Sequence, residues 1–269
     1  MPNLSARFVD CKKSKRKILS LFLTAGFPEL QSTVPLIIEM ANSGADVIEL
    51  GLPFSDPVAD GPVIQHSSEV ALRNGMSINK AFEIVEEARK DTDVPLVMMG
   101  YANPVYSYGL ERFFDRCASA HVEGTIIADL PIEESVEYRR CAIERSVSTI
   151  FLAAPTTSND RLKKLDQVST GFLYCVSVTG VTGERTDLAG QASDFLHRVR
   201  QCVTINPVLV GFGLATTHDA RRVAALSDGI VIGSSFIKLL AESTNGRLLS
   251  ATSRFVTTMR TTLDTPEEP

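Results

Sequence analysis

The chain has 269 residues, 44% of them hydrophobic and 22% charged, enough apolar material for a sizeable core and unlike a disordered or fibrous composition. Its 27 basic and 32 acidic residues leave a net charge of −5, which argues against a nucleic-acid binder or a protein of the membrane surface. Five cysteines (Cys11, Cys117, Cys141, Cys175, Cys202) are scattered, odd in number and without CxxC spacing, so they read as free thiols of a reducing, cytoplasmic compartment rather than a disulfide frame or zinc site.

Residues 3–13 read as a leading helix, and the apolar run Ile18 to Thr24 as a buried strand ended by Ala25-Gly26-Phe27-Pro28. Lys12, Lys13, Lys15, Arg16 and Lys17 before that run imitate a signal peptide. The better reading is a surface basic run leading into a first strand that the repeating pattern requires, and no apolar run is long enough to span a membrane. Thr33 to Ser43 has helical spacing, Val47–Leu50 is a second strand, and a Gly/Pro-punctuated loop over 51–61 leads to a helix at 62–73. Ser77 caps a further helix at 79–90. Strands then follow at Val94–Met99, Gly124–Ala128, Ser148–Leu152, Gly171–Val176, Pro207–Val210 and Gly229–Ile232. Between them lie a loop over 100–109 and helices at 110–120, from Ile132, at 158–167, at 192–203 and from His218. A Gly-rich loop runs to Gly190; helical segments at 235–242 and near 246–262 close the chain, and 264–269 is expected to fray.

Eight strand–helix units with short, continuously apolar strands predict a parallel sheet covered by helices. Eight units suggest closure into an α/β fold of the (β/α)8 TIM-barrel type, a single domain over 1–269 with an extra N-terminal helix and a short extra helix after strand 8. A doubly wound open sheet is the alternative; no GxGxxG follows the first strand, and no linker divides the chain.

In such a barrel the chemistry sits where strands end. Glu49 ends the second strand, a carboxylate inside an apolar run, where a charge is costly unless paired or used. Asp56 and Asp60 follow in the next loop, Asp129 ends the fourth strand, Tyr101 follows the third and Tyr174 lies late in the sixth. Five of these have a plainer reading: a structural ion pair for Glu49, an Asx-type turn for Asp56, a helix cap for Asp60, a turn for Asp129 and core packing for Tyr174. None of the nine lysines ends a strand, so a Schiff-base aldolase lacks its amine. The four histidines form no ligand cluster, so no metal site is expected.

Glycine clusters follow the last three strands: Gly180 to Gly183, Gly211-Phe212-Gly213 and Gly233-Ser234-Ser235. At those strands, bare backbone N–H groups and a helix N-terminus suit a phosphorylated substrate. Loops 51–61 and 177–190 exceed the usual βα connection and read as a lid or a docking surface.

The segments IELGLPFSDPVADGPVIQ, GYANPVY, ADLPIEES, YCVSVTGVTGERTDL, GFGLATT and IGSSFIK resemble the α subunit of tryptophan synthase over nearly the whole chain. The resemblance implies a lyase that cleaves indole-3-glycerol phosphate into indole and glyceraldehyde 3-phosphate. Indole would pass to a β subunit in an α2β2 complex, with pyridoxal phosphate in that partner and no cofactor in this chain. By the same resemblance Glu49, Asp60 and Tyr174 are catalytic. Phe22, Tyr101, Ile126, Asp129, Thr182 and Phe212 lie around the indole or the closing loop, and Gly183, Gly213, Gly233 and Ser234 hold the phosphate. Pro53, Asp56 and Pro57 match the loop that meets the β subunit. Gly100 departs from the family in offering little bulk near the pocket, and Phe27 before Pro28 is a second variant. Two other readings stay open: a phosphate-binding barrel of different reaction, such as a sugar-phosphate isomerase, and a non-catalytic activator of a β subunit.

Overall fold

A computed structural model describes residues 4–176, 185–211, 216–243 and 246–265, with the side chains of 185–192 excepted. Helix α1 (Leu4–Lys13) precedes β1 (Ile18–Thr24), and α2 (Thr33–Asn42) leads to β2 (Val47–Gly51). Two helices, α3 (Pro62–Arg73) and α4 (Ile78–Ala88), separate β2 from β3 (Leu96–Gly100); α5 (Ala102–Tyr108) and α6 (Leu110–Ser119) precede β4 (Gly124–Ile127). Then come α7 (Val136–Glu144), β5 (Ser148–Ile150), β6 (Leu152–Ala153), α8 (Asn159–Val168), β7 (Leu173–Val176), α9 (Arg185–Cys202) and β8 (Val208–Gly211). The chain continues through α10 (Thr217–Ala225), β9 (Gly229–Ile232), α11 (Ser234–Glu242) and α12 (Leu248–Asp264).

All strand pairs are parallel, in the order β5-β4-β3-β2-β1-β9-β8-β7-β6. The two edges, β5 and β6, are halves of one predicted strand, parted at Phe151: β5 pairs with β4 and β6 with β7. The break brings the ends of the sheet together, so eight staves make a TIM barrel, as the repeating pattern predicted. Every residue of β1 is buried, because its inner face fills the barrel and its outer face meets helices.

The lower end of the barrel is closed by the N-terminal helix. Phe8 of α1 stacks on Phe172 with ring centroids 5.8 Å apart. Asp46, 1% exposed, accepts from the Leu19 N–H at 2.9 Å, Arg16 at 2.8 Å and Arg260 of α12 at 2.9 Å. That carboxylate ties the first two strands to the last helix.

Two segments depart from the sequence-based expectation. The stretch 102–108, expected as loop, is helix α5: Pro104 sits in its first turn, where proline is tolerated, and the Asp129 carboxylate accepts the Ala102 N–H at 2.8 Å. The cap therefore comes from a different loop, which local sequence does not show. The helix expected at 192–203 begins earlier, at Arg185, so only 177–184 of the Gly-rich loop is left, and it lies outside the described residues.

Candidate active site

Side chains alternate across a strand, and partners on the outside fix which residues point in. In β2, Glu49 points into the barrel, where the Ser20 hydroxyl of β1 donates to its Oε1 at 2.8 Å. Glu49 is 0% exposed, and its Oε2 has no hydrogen-bond partner among the described residues. Burial pushes its pKa up to about 8, with the Ser20 bond opposing the rise. No cation stands beside it among the described residues, so nothing there supports the ion-pair reading of Glu49. A carboxyl group kept neutral at pH 7 and isolated from water is a proton donor in waiting.

Two glycines make room for rings beside it. A Cβ on Gly51 would collide with the edge of the Phe22 ring, and one on Gly211 with the Tyr174 ring and hydroxyl. Phe22 thus spans from the end of β2 to Gly233 beyond β9, where a Cβ would lie 3.6 Å from the Phe22 Cβ. Tyr174, 4% exposed, is held protonated first by burial, and ionisation of Glu49 or Asp60 beside it pushes its pKa further up. Thr125 bonds Tyr138 of α7 on the outside of β4, so Ile126, fully buried, faces inward.

Asp60 does not cap α3; the capping position is Gly61, with no side-chain cap. Its carboxylate instead meets the Tyr101 phenol, and burial raises its pKa while that bond opposes the rise. The same phenol oxygen accepts the Ala59 N–H at 3.1 Å, and the Tyr101 ring packs against Phe54 at 5.4 Å. One tyrosine therefore fastens both Asp60 and the loop that carries it. Its own pKa is raised by burial and then by Asp60, which keeps the phenol a donor.

Asp129 is exposed and engaged by the first N–H of α5. Asp56 is exposed and accepts from the Ser55 hydroxyl at 2.5 Å; Pro53 and Pro57 are half-buried beside Val58, which is 82% exposed. Gly233 and Ser234 open α11, with Ser234 exposed at its first residue. Thr182, Gly183, Phe212 and Gly213 lie outside the described residues. Among the described residues, no group of three or more His, Cys, Asp or Glu could hold a metal ion. The space left by Gly100 is taken by Leu52, whose side chain a Cβ there would meet at 3.3 Å. Ser20, not singled out from sequence, had no local signal: a serine in an apolar strand becomes meaningful only once Glu49 is opposite it.

A buried, unpaired carboxyl group at a strand end, with a phenol-held aspartate on the loop above, defines the class as a (β/α)8-barrel enzyme. The family follows from comparison with known proteins. Residues 8–264 match the family model described as tryptophan synthase alpha chain. The tryptophan synthase alpha chain of Geotalea uraniireducens is 44% identical over 260 residues, 97% of each chain, and that of Geobacter sulfurreducens 43% identical over 97% of this chain and 98% of its own. The solved tryptophan synthase subunit alpha of Legionella pneumophila superposes with a TM-score of 0.89 at 35% identity, over 98% of this chain and 99% of that one. The chain belongs to the tryptophan synthase alpha chain family, and as such is an enzyme of tryptophan biosynthesis that catalyses the alpha reaction, a lyase cleavage.

Proposed function

We propose that the chain cleaves indole-3-glycerol phosphate to indole and glyceraldehyde 3-phosphate, with Glu49 as the acid/base. The observation that carries this reading is the isolation of Glu49 inside the barrel: buried, without a cation beside it among the described residues, and with one oxygen unpartnered. The neutral carboxyl protonates the indole carbon that bears the glycerol chain. Positive charge then develops on the ring nitrogen, and Asp60 stabilises it. The Glu49 carboxylate, now ionised, removes the proton from the adjacent side-chain hydroxyl. The carbon–carbon bond breaks, its electrons return to the indole, and the aldehyde product leaves. Tyr174 lines the cavity with Phe22, Ile126, Tyr101 and Asp129. The phosphate is held far from the breaking bond by Gly183, Gly213, Gly233 and Ser234, which keeps the substrate in register.

This chemistry calls for no cofactor in this chain. The same reading has one barrel domain over 1–269 at work in the cytoplasm. Its rim loop, with Pro53, Asp56 and Pro57, meets a pyridoxal-phosphate-dependent β subunit in an α2β2 complex and passes indole to it; the exposed Val58 supports that surface. No helix among the described residues is long and apolar enough to cross a membrane.

Incubation with indole-3-glycerol phosphate, with and without a β subunit, should release indole; no release in either condition refutes the proposal. A sugar-phosphate isomerase would ignore this substrate, and a mere activator would stimulate the β subunit equally well as Glu49→Gln. Because Glu49 must begin protonated, turnover should fall as pH rises through about 8. Tyr101→Phe should lower kcat about tenfold, since it frees Asp60 and the Ala59 backbone together. Steady-state kinetics showing Tyr101→Phe at wild-type rate would remove the phenol from that task.

A further inference from the structure

We infer that Ser20 is a positioning residue for Glu49, fixing which of its two oxygens exchanges protons with the substrate; the inference rests on Glu49 being the acid/base. Ser20 lies on β1, two residues below Phe22 on the same inner face, and is 0% exposed. Register sets Phe22 opposite Glu49 and Ser20 opposite Val47, so the serine sits one layer deeper in the barrel than the carboxylate it touches. Its hydroxyl donates to Oε1 at 2.8 Å, and Oε2 has no partner among the described residues. A carboxyl group anchored from below by one oxygen can rotate little. The proton of its neutral form then resides on the other oxygen, Oε2, the one left for a substrate entering from the rim.

Two chemical consequences follow. The serine bond favours the ionised form, because a hydroxyl donates more strongly to a carboxylate than to a neutral acid. Ser20 thereby holds Glu49 below the value that burial alone would impose, within reach of a physiological proton-transfer cycle. It also removes the freedom of the carboxyl group to turn away from the reacting carbon, the kind of misplacement that slows enzymes most. Among the described residues, the titratable groups around Glu49 are Tyr174 from β7 and, beyond it, Asp60 and Tyr101; none of these is a cation.

The test is an infrared titration of the Glu49 carboxyl group in the wild type and in Ser20→Ala, with Glu49→Gln identifying its band. Kinetics on indole-3-glycerol phosphate are measured alongside. Ser20→Ala should raise the titration midpoint by about one pH unit. It should move the alkaline limb of kcat upward by the same amount and lower kcat about tenfold, with KM little changed. Ser20→Thr, which keeps the hydroxyl, should restore both. Ser20→Cys keeps the volume with a weaker donor and repeats the comparison should the alanine variant fail to fold. An unchanged midpoint overturns the inference whether or not the chain turns over. A shifted midpoint with wild-type kcat overturns the positioning role. A wild type that titrates as expected but releases no indole refutes the assigned reaction instead, with the Ser20–Glu49 coupling intact.

Discussion

Replacing Glu49 with glutamine should cost the enzyme at least about a hundredfold in kcat and yet make the protein more stable at alkaline pH. In an unfolded chain this carboxyl group titrates near 4.5; inside the barrel, burial pushes it up to about 8. Between those values the folded state holds a proton that the unfolded state has lost, so stability falls as pH rises from about 4.5 to about 8 and stays low above it. A difference of about 3.5 pH units, at about 1.36 kcal/mol each, makes this loss about 5 kcal/mol. Glutamine keeps the Ser20 bond and carries no charge, but its amide N–H groups inherit the unpartnered position of Oε2, so part of the gain is returned. Calorimetry at pH 5.5 and 8.5 should show the variant melting several degrees above the wild type at the higher pH and close to it at the lower. Equal gaps at both pH values would mean that no desolvated charge is being relieved.

The opposite end of the barrel should behave in the opposite way. Asp46→Ala should destabilise the fold by about 2–4 kcal/mol, the cost of removing buried charge-assisted bonds and leaving a buried N–H without its acceptor, and leave kcat nearly intact at low temperature. Arg260 is nearly as buried as Asp46; without the carboxylate it retains the Lys17 carbonyl at 3.0 Å and Asp264 at 2.6 Å but loses its inner partner. The Leu19 N–H loses its acceptor as well. Because β1, β2 and α12 meet at this point, the damage is to the closure of the barrel. The site lies at the other ends of the strands and keeps its geometry. Urea unfolding should show a lower midpoint with an unchanged slope. The exposed Lys90–Glu87 pair provides the contrast, since Glu87→Ala there should leave the midpoint where it is. A fall in kcat as large as the loss of stability would show that the two ends of the barrel are mechanically coupled.

The barrel was legible because its signals are local and repeated. Apolar runs of strand length, turn residues behind them and helical spacing between them recur around the chain. The fifth strand was legible as one run, Ser148 to Leu152, but not its division at Phe151, because closure is a matter of which neighbour each half pairs with. Helix α5 was hidden for a similar reason: Gly100, Pro104 and Gly109 read as loop, and the carboxylate that caps it belongs to Asp129, 27 residues on.

The site divides along the same line. Composition and spacing by themselves pointed to an α/β barrel, left carboxylates rather than strand-end lysines as the candidate acid/base set, and marked Glu49 as the charge most in need of a reason. These are statements about residue type at a strand end, and a strand end can be read from the chain. Whether Glu49 is paired, which of its oxygens is held, and whether Asp60 caps a helix or meets a phenol were decided only by the tertiary structure. A pKa and a hydrogen bond depend on what lies across the barrel: Ser20 and Tyr174 reach Glu49 from β1 and β7, and Tyr101 reaches Asp60 from the residue after β3. Sequence order separates those residues; closing the sheet into a barrel makes them neighbours.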